Sequence, residues 1–176
     1  SERGDFTNNE TIKELVKLVI QGHAFCVQLN GSRSNANYKQ TNLVPIDVDS
    51  GSTLQEALDN EFARKHLTFY YTTANHTVEE NRFRLCFLLD RDILNPSDFV
   101  AIKRALGLRF SGDPSTYDSS RISFGNQSAV YEIFNRVIPS DVIDELIEIG
   151  KTSPKFNRAG QTENQTQGLT RSTLKL

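Results

Sequence analysis

The chain lacks tryptophan and methionine and contains only two cysteines and five prolines among its 176 residues. Cys26 and Cys86 do not have CxxC spacing, so the sequence does not predict a zinc site. Each cysteine lies in an apolar, strand-like run, and we expect two buried free thiols in a reducing compartment. Because the chain begins at Ser1 and has no methionine, we also expect a trimmed segment whose flanking domains are missing.

Long apolar stretches are also missing from the sequence. No run approaches the ~20 apolar residues of a membrane-spanning helix, and no signal peptide is visible. We therefore expect a cytoplasmic protein that does not bind a membrane. The net charge of −2 argues against binding of polyanions over the whole surface, but the 20 lysines and arginines leave room for a local basic groove.

The composition is that of a soluble globular protein, with 37% hydrophobic and 24% charged residues. The length predicts one compact domain or a small two-lobed one, which we place over residues 1–151. Residues 152–176 are polar and contain few large apolar side chains. This composition predicts a disordered tail or linker.

Hydrophobic periodicity and turn residues predict four helices and six strands. The predicted helices cover residues 10–21, 54–62, 96–106 and 140–149. The predicted strands cover residues 24–29, 43–49, 67–73, 82–89, 121–124 and 129–134. Residues 30–42 are polar and predict a loop. Hairpins dominate this order, so we predict an α+β fold with a largely antiparallel sheet flanked by helices.

Two aspartates, Asp47 and Asp49, follow an apolar strand and precede Ser50-Gly51-Ser52. Side chains at positions i and i+2 of a strand lie on the same face, so the two carboxylates are held side by side. Apolar neighbours make this costly unless a cation neutralises the charges. Mg²⁺ prefers carboxylate oxygens, which favours a phosphoryl- or nucleotidyl-transfer site. The alternative is a solvated strand end, with Asp49 capping a turn.

Two arginines, Arg82 and Arg84, share one face of a later predicted strand. Such a pair is suited to a triphosphate or a nucleic-acid backbone. The alternative is a set of surface ion pairs with nearby acids (Glu79, Glu80 and Asp90). His76 lies in the preceding turn, where it could bind a phosphate or carry a proton, or be merely solvated.

A third polar cluster follows the third predicted helix. Asp113 could add a third carboxylate to Asp47 and Asp49, since two ions ~3.5–4 Å apart need a shared set of acids. Arg121 opens a predicted strand and could face the same cleft. The alternative is a turn at Asp113-Pro114 and a cap at Asp118.

Together the three clusters resemble the catalytic domain of archaeo-eukaryotic primases, in particular the primase-polymerases of phages and plasmids. The resemblance rests on motifs in this order: Asp-Val-Asp at 47–49, Tyr-Tyr-Thr-Thr-Ala-Asn-His-Thr at 70–77, Asn-Arg-Phe-Arg-Leu-Cys-Phe-Leu-Leu-Asp at 81–90, and Gly-Asp-Pro-Ser-Thr-Tyr-Asp-Ser-Ser-Arg-Ile-Ser-Phe-Gly at 112–125. It spans roughly residues 20–140. It implies an RRM-like catalytic sheet with a small N-terminal α/β lobe.

The resemblance also implies roles for individual residues. Asp47 and Asp49 match the first acidic motif and would bind Mg²⁺ or Mn²⁺. Asp113 best matches the third acid, with Asp118 as the alternative. The family's Ser-x-His motif is replaced here by Ala74-Asn75-His76, and the alternative match for its histidine is Arg82 or Arg84. The remaining assignments are triphosphate contacts (His76, Arg82, Arg84 and Arg121) and template contacts in the 30–42 loop (Arg33, Lys39 and a stacking ring at Tyr38).

The implied activity is template-directed synthesis of RNA or DNA from nucleoside triphosphates on single-stranded DNA, by two-metal nucleotidyl transfer in phage or plasmid replication. A helicase domain or protein that follows this segment is a candidate partner. Two alternatives remain. An RRM-like sheet could bind single-stranded nucleic acid without catalysis, and a carboxylate cluster could serve a metal-dependent nuclease.

Overall fold

Helices and strands alternate along the computed structural model, which describes residues 9–154. The helices of this part are α1 (Asn9–Ile20), α2 (Leu54–Asp59), α3 (Glu61–His66), α4 (Pro96–Phe110) and α5 (Ser140–Thr152). Its strands are β1 (Gln28–Leu29), β2 (Tyr38–Val48), β3 (Phe69–Thr72), β4 (Phe83–Ile93), β5 (Tyr131–Ile133) and β6 (Val137–Ile138). Short 3₁₀ turns cover Asn35–Asn37 and Pro114–Thr116.

The strands form one six-stranded sheet in the order β1-β2-β4-β3-β5, and β6 pairs with β4. Every pair is antiparallel except β4 with β6, so the predicted α+β fold is confirmed. The register places Asp47 opposite Arg84, Arg84 opposite Tyr71, and Tyr71 opposite Tyr131. Residues directly opposite each other project from the same face, so these four side chains form one row across the sheet.

The two faces of the sheet bury separate apolar clusters. One face packs against α4 and α5, and its alternating strand residues include Val44, Ile46, Val48, Phe83, Leu85 and Phe87. The other face packs against Ile12, Val16 and Val19 of α1 through Leu43, Phe69, Tyr71, Cys86 and Leu88. Each large side chain removed from water contributes about 1.5–3 kcal/mol. On the sheet face that packs against α1, the residues near the 47–49 end of β2 are charged instead of apolar.

Several predicted boundaries differ from the structure. The predicted strand 24–29 is reduced to β1, although Phe25 forms an isolated bridge with Ser123. The predicted loop 30–42 is wrong at its end, because β2 already begins at Tyr38. Tyr38 belongs to the core there, since its hydroxyl donates to the Ile93 carbonyl at 2.7 Å. The predicted helix 54–62 is two helices, because the Asn60 side chain accepts from Phe62 N at 2.9 Å and begins α3.

The last predicted hairpin is also only partly formed. Residues 121–124 contribute the single bridge at Ser123, and β5 covers three of the six residues from 129 to 134. Cys86 is buried as expected, but Cys26 is exposed, so that prediction is wrong. Most of the predicted tail, 155–176, lies outside the described residues. Among residues 9–154, no helix is both long and apolar enough to cross a membrane.

Candidate active site

A buried arginine lies at the centre of the row of side chains across the sheet. Nε of Arg84 donates to Oδ1 of Asp47, and Nη1 donates to the Tyr71 hydroxyl and, at 2.9 Å, to the Phe124 carbonyl. The side chains of Arg84 and Asp47 are 7% and 17% exposed. The pairing follows from the register, because β4 lies between β2 and β3. The guanidinium therefore connects both neighbouring strands and the loop above them.

Tyr71 also contacts the guanidinium of Arg84. Its hydroxyl also donates to the Phe124 carbonyl at 2.9 Å, and its ring centroid lies 5.4 Å from the guanidinium carbon. Burial raises the pKa of Tyr71, so the phenol stays neutral. Burial opposes the charge on Arg84, but the Asp47 carboxylate outweighs it and raises the pKa of Arg84 above its usual value. The arginine is charged, and its Nε and Nη1 groups are directed toward these acceptors.

Asp49 lies two residues beyond Asp47, at the open end of β2. It is exposed, and its carboxylate has no hydrogen-bond or ion-pair partner within residues 9–154. It lines an open cleft of about 490 Å³, a volume in the range of ligand pockets. The cleft is polar and is formed by the segment after β2, the start of α2 and the turn before β4 (Asp49, Ser50, Gly51, Ser52, Thr53, Glu56, Glu79, Glu80, Asn81 and Arg82).

Arg82 supplies a cation to this cleft. One of its Nη atoms lies 3.3 Å from the Glu80 carboxylate, while its Nε is buried without a hydrogen-bond partner among the described residues. The Arg82 backbone N–H donates to Nδ1 of His76 at 3.0 Å. With Nδ1 as an acceptor, the proton of the neutral imidazole lies on Nε2. The structure thus brings Asp49, Arg82 and His76 to the same end of the sheet.

Asp113 approaches Asp47 through its backbone. Its N–H donates to the Asp47 carbonyl at 2.8 Å. This approach requires Gly112, because a Cβ there would lie 2.9 Å from both Ile46 Cγ2 and Gly107 Cα. The Asp113 carboxylate caps its own turn, accepting from Ser115 N at 2.9 Å and Ser115 Oγ at 2.6 Å. Within the described part of the chain, no three His, Cys, Asp or Glu side chains are grouped to hold a metal ion.

The segment after Asp113 is anchored by Lys103, which the sequence analysis missed. This lysine is 2% exposed on α4 and donates to the carbonyls of Thr116 at 2.9 Å and Asp118 at 3.2 Å. Burial lowers the pKa of Lys103 to about 8. Arg121 lies 3.9 Å from the Asp118 carboxylate and lines a small apolar cavity with Lys103. Asp118 and Arg121 are therefore within ion-pair distance of each other.

The predicted template contacts lie elsewhere. Arg33 and Lys39 are exposed, and Lys39 precedes Asp47 by eight residues, roughly 27 Å along an extended strand. Tyr38 is buried and stacks on Phe99 at 5.7 Å between ring centroids. The prediction of a stacking ring at Tyr38 is wrong, because the ring fills the core under α4 and has no face open to a base.

Known proteins match this chain in structure and not in sequence. No protein-family model matches the sequence, and no curated protein matches it significantly. The archaeo-eukaryotic primase (AEP) domain of the primase-polymerase of cyanophage S-2L has a similar structure. The TM-score is 0.53, and the match covers 80% of this chain and 77% of that one. The chain has an archaeo-eukaryotic primase fold. At 12% identity, the similarity shows the fold alone.

Removing Asp47 should destabilise the fold far more than removing Asp49. Asp47→Ala leaves the Arg84 charge buried without its carboxylate, which should cost about 3 kcal/mol. Asp49→Ala removes an exposed group and should change stability by about 0.5 kcal/mol or less. Urea unfolding followed by circular dichroism measures both, since the chain has no tryptophan. Adding Arg84→Met to Asp47→Ala should recover part of the loss, whereas equal losses for the two single variants would contradict the pairing.

Lys103 should make stability rise with pH above pH 8. Its pKa is about 8 in the folded chain and 10.5 as the usual value. Below pH 8 the folded state bears the full cost of the buried charge, and this cost disappears as the folded lysine loses its proton between pH 8 and 10.5. Wild type should gain about 2 kcal/mol between pH 7.5 and 9.5 relative to Lys103→Met. Urea midpoints at several pH values test this, and a pH-independent difference between the two proteins would refute it.

Proposed function

We propose that this domain is a primase-polymerase that transfers nucleotides from nucleoside triphosphates to a 3′-hydroxyl on a single-stranded DNA template in phage or plasmid replication. The observation that carries the proposal is the pair of carboxylates at the end of β2. Within residues 9–154, Asp49 has no hydrogen-bond or ion-pair partner and opens onto a cleft that holds Arg82, and Asp47 precedes it by two residues, at the end of β2. The primase fold supports this interpretation.

The carboxylates fit a divalent cation that arrives with the nucleotide. Mg²⁺ sites in polymerases use one or two carboxylates together with substrate phosphates and waters, so a preformed three-acid cage is not required. Asp49 offers both its oxygens, and Asp47 offers Oδ2, because Oδ1 accepts from Arg84. We assign these oxygens to Mg²⁺ or Mn²⁺, which would neutralise the phosphates and lower the pKa of the attacking hydroxyl. A second ion would need Asp113 or Asp118 as a third carboxylate.

The charge of the cleft supports binding of a metal–nucleotide complex. Its lining carries the acids Asp49, Glu56, Glu79 and Glu80 but only one cation, Arg82. A triphosphate alone would be repelled by this excess of negative charge, whereas a divalent cation reverses the balance. The Arg82 side chain is 34% exposed and lines the cleft, so part of its guanidinium is open to a ligand. We assign Arg82 and Nε2 of His76 to the phosphates.

The reaction proposed here forms one bond and breaks one. The 3′-hydroxyl oxygen bonds to the α-phosphorus, the bond to the bridging α–β oxygen breaks, and pyrophosphate leaves while the hydroxyl proton passes to solvent. Arg82 would offset the charge that builds on the leaving phosphates. Arg84 was predicted to bind the triphosphate, and we propose instead that it positions Asp47, since its Nε and Nη1 donors are directed to Asp47, Tyr71 and Phe124. Arg84 is not among the residues that line the cleft.

The same site favours one alternative, a binding module without catalytic activity. Asp47 is already neutralised by Arg84, and no three-acid group is assembled in the described residues. Such a module would hold single-stranded DNA on the same sheet.

Several further assignments apply to either function. We propose Arg33 and Lys39 as template contacts, Arg121 as a further phosphate contact, a helicase as a partner, and the cytoplasm as location.

Primer extension tests the proposal with a variant that should fold normally. On a primed single-stranded template with Mn²⁺ or Mg²⁺, wild type should extend and Asp49→Asn should be slower by about 10²-fold or more, because the amide loses the charge that binds the ion. Chelation of the metal should abolish extension. Asp59→Asn, an exposed acid on α2, is the matched control and should retain activity.

The absence of extension in wild type, with template binding intact, would overturn the catalytic proposal and favour the binding module. Strand cleavage without nucleotides would identify a nuclease instead.

Arg82 should act on the nucleotide rather than on folding. Arg82→Ala removes a donor from the cleft and should raise the KM for nucleoside triphosphate by about 10- to 100-fold, since a hydrogen bond to a charged group contributes about 1.5–3 kcal/mol. Steady-state extension at varied nucleotide concentration measures it. Arg64→Ala, an exposed arginine paired with Asp59, controls for general loss of charge. An unchanged KM in Arg82→Ala would remove Arg82 from the phosphate site.

A further inference from the structure

Two aromatic rings remain exposed on the face of the sheet that carries the site. Tyr131 is 44% exposed and lies opposite Tyr71, which extends the row from Asp47 through Arg84 to β5. Phe124 is 67% exposed, and its carbonyl lies over the same row, where it accepts from Arg84 and Tyr71. Neither ring stacks on another ring within residues 9–154. Both rings are therefore exposed to solvent in part and are not covered by another ring.

The backbone that carries Phe124 is held on both sides. Ser123 and Phe25 exchange two backbone hydrogen bonds of 2.8 and 2.9 Å. Gly125 packs directly against the end of α1, because a Cβ there would lie 2.3 Å from the Val19 carbonyl and 2.5 Å from the His23 carbonyl. The Phe124 carbonyl accepts two side-chain donors between these anchors. An exposed ring on a fixed backbone loses little freedom when it binds a ligand.

Single exposed apolar residues are ordinary on protein surfaces, but these rings differ in their location. They lie on the Tyr71 side of the row, across Arg84 from Asp47 and from the cleft of Asp49 and Arg82. If the phosphates of a nucleotide occupy that cleft, the two rings face the nucleic acid that extends further across the sheet. Two separate rings are suited to successive bases of a strand, because every base has a face that stacks on an aromatic ring.

We propose that Phe124 and Tyr131 form a stacking platform for unpaired bases of single-stranded DNA bound across the sheet beside Asp47 and Arg84. This assignment rests on the proposed function, which places the active site at Asp47 and Asp49. Phe124 and Tyr131 replace Tyr38 as the rings that stack on bases. Arg121, whose side chain is 40% exposed on the segment that leads to Phe124, supplies a cation for the backbone of the same strand.

Equilibrium binding of the full chain to a fluorescent oligonucleotide of about 12 nucleotides, without metal or nucleoside triphosphate, tests the platform separately from catalysis. Phe124→Ala should weaken the Kd by about 5- to 100-fold, and Tyr131→Ala should weaken it in the same direction. Phe124→Trp should retain binding, and Phe124→Leu should not, because leucine keeps the apolar surface without a ring. Leu94→Ala is the control, since Leu94 is 68% exposed beyond the opposite end of β4.

An abasic oligonucleotide of the same length identifies the contact. If the rings stack on bases, Phe124→Ala should bind this probe as well as wild type does. An equal loss on the normal and abasic probes, or no loss on either, would overturn the proposal. A change confined to the KM for nucleotide during extension would also overturn it, because the ring would then contact the incoming base.

The experiments distinguish a failure of the stacking platform from a failure of the proposed polymerase function. Base-dependent binding that requires Phe124 in a chain without extension activity would support the platform and refute the polymerase. Extension that requires Asp49, with binding indifferent to Phe124 and Tyr131, would support the polymerase and refute the platform.

Discussion

The buried charge of Arg84 is the constraint on which the site depends. A guanidinium removed from water must find acceptors for its donors, or the fold loses several kcal/mol. Here the acceptors are a carboxylate on β2, a phenol on β3 and a carbonyl in the loop before β5. One side chain thus fixes the relative positions of three segments that are far apart in sequence. A smaller or neutral residue at position 84 would leave each of them without this common partner.

The packing around this charge determines which groups remain available to a ligand. Gly112 lets the loop after α4 lie against β2, and Gly125 lets the later loop lie against α1. Lys103 holds the carbonyls between these two points. The loops are therefore fixed by groups that never reach the cleft. Among the described residues, the groups that stay open to a ligand on this face include the Asp49 carboxylate, part of the Arg82 guanidinium and the rings of Phe124 and Tyr131, and they lie on either side of the Asp47–Arg84 pair.

Much of this arrangement was predictable from local patterns in the sequence. The alternation from Leu43 to Asp49 and from Arg82 to Leu89 gave the correct faces of β2 and β4, because a period of two is read directly from neighbouring residues. The partner of Arg84 was not predictable, since it depends on the register between β2 and β4. Tyr38 was misassigned because a polar, asparagine-rich segment hid a strand whose tyrosine reaches Ile93. The sequence offered only one indication that Lys103 is buried, which is that this charged residue lies among the apolar positions of a helix.

The pairing of Asp47 with Arg84 also gives two aspartates that are only two positions apart different surroundings. One oxygen of Asp47 accepts from the arginine, and the carboxylate is held at a fixed angle on a central strand. Asp49 lies beyond the last buried residue of β2, Val48, and keeps both oxygens exposed to the cleft. In the proposed function, these two carboxylates would hold a divalent cation that neutralises the phosphates of the nucleotide. Because Arg84 already offsets one charge, such a cation would be held less tightly than by two unpaired carboxylates. Weaker binding suits an ion that enters with a nucleotide and leaves with the product.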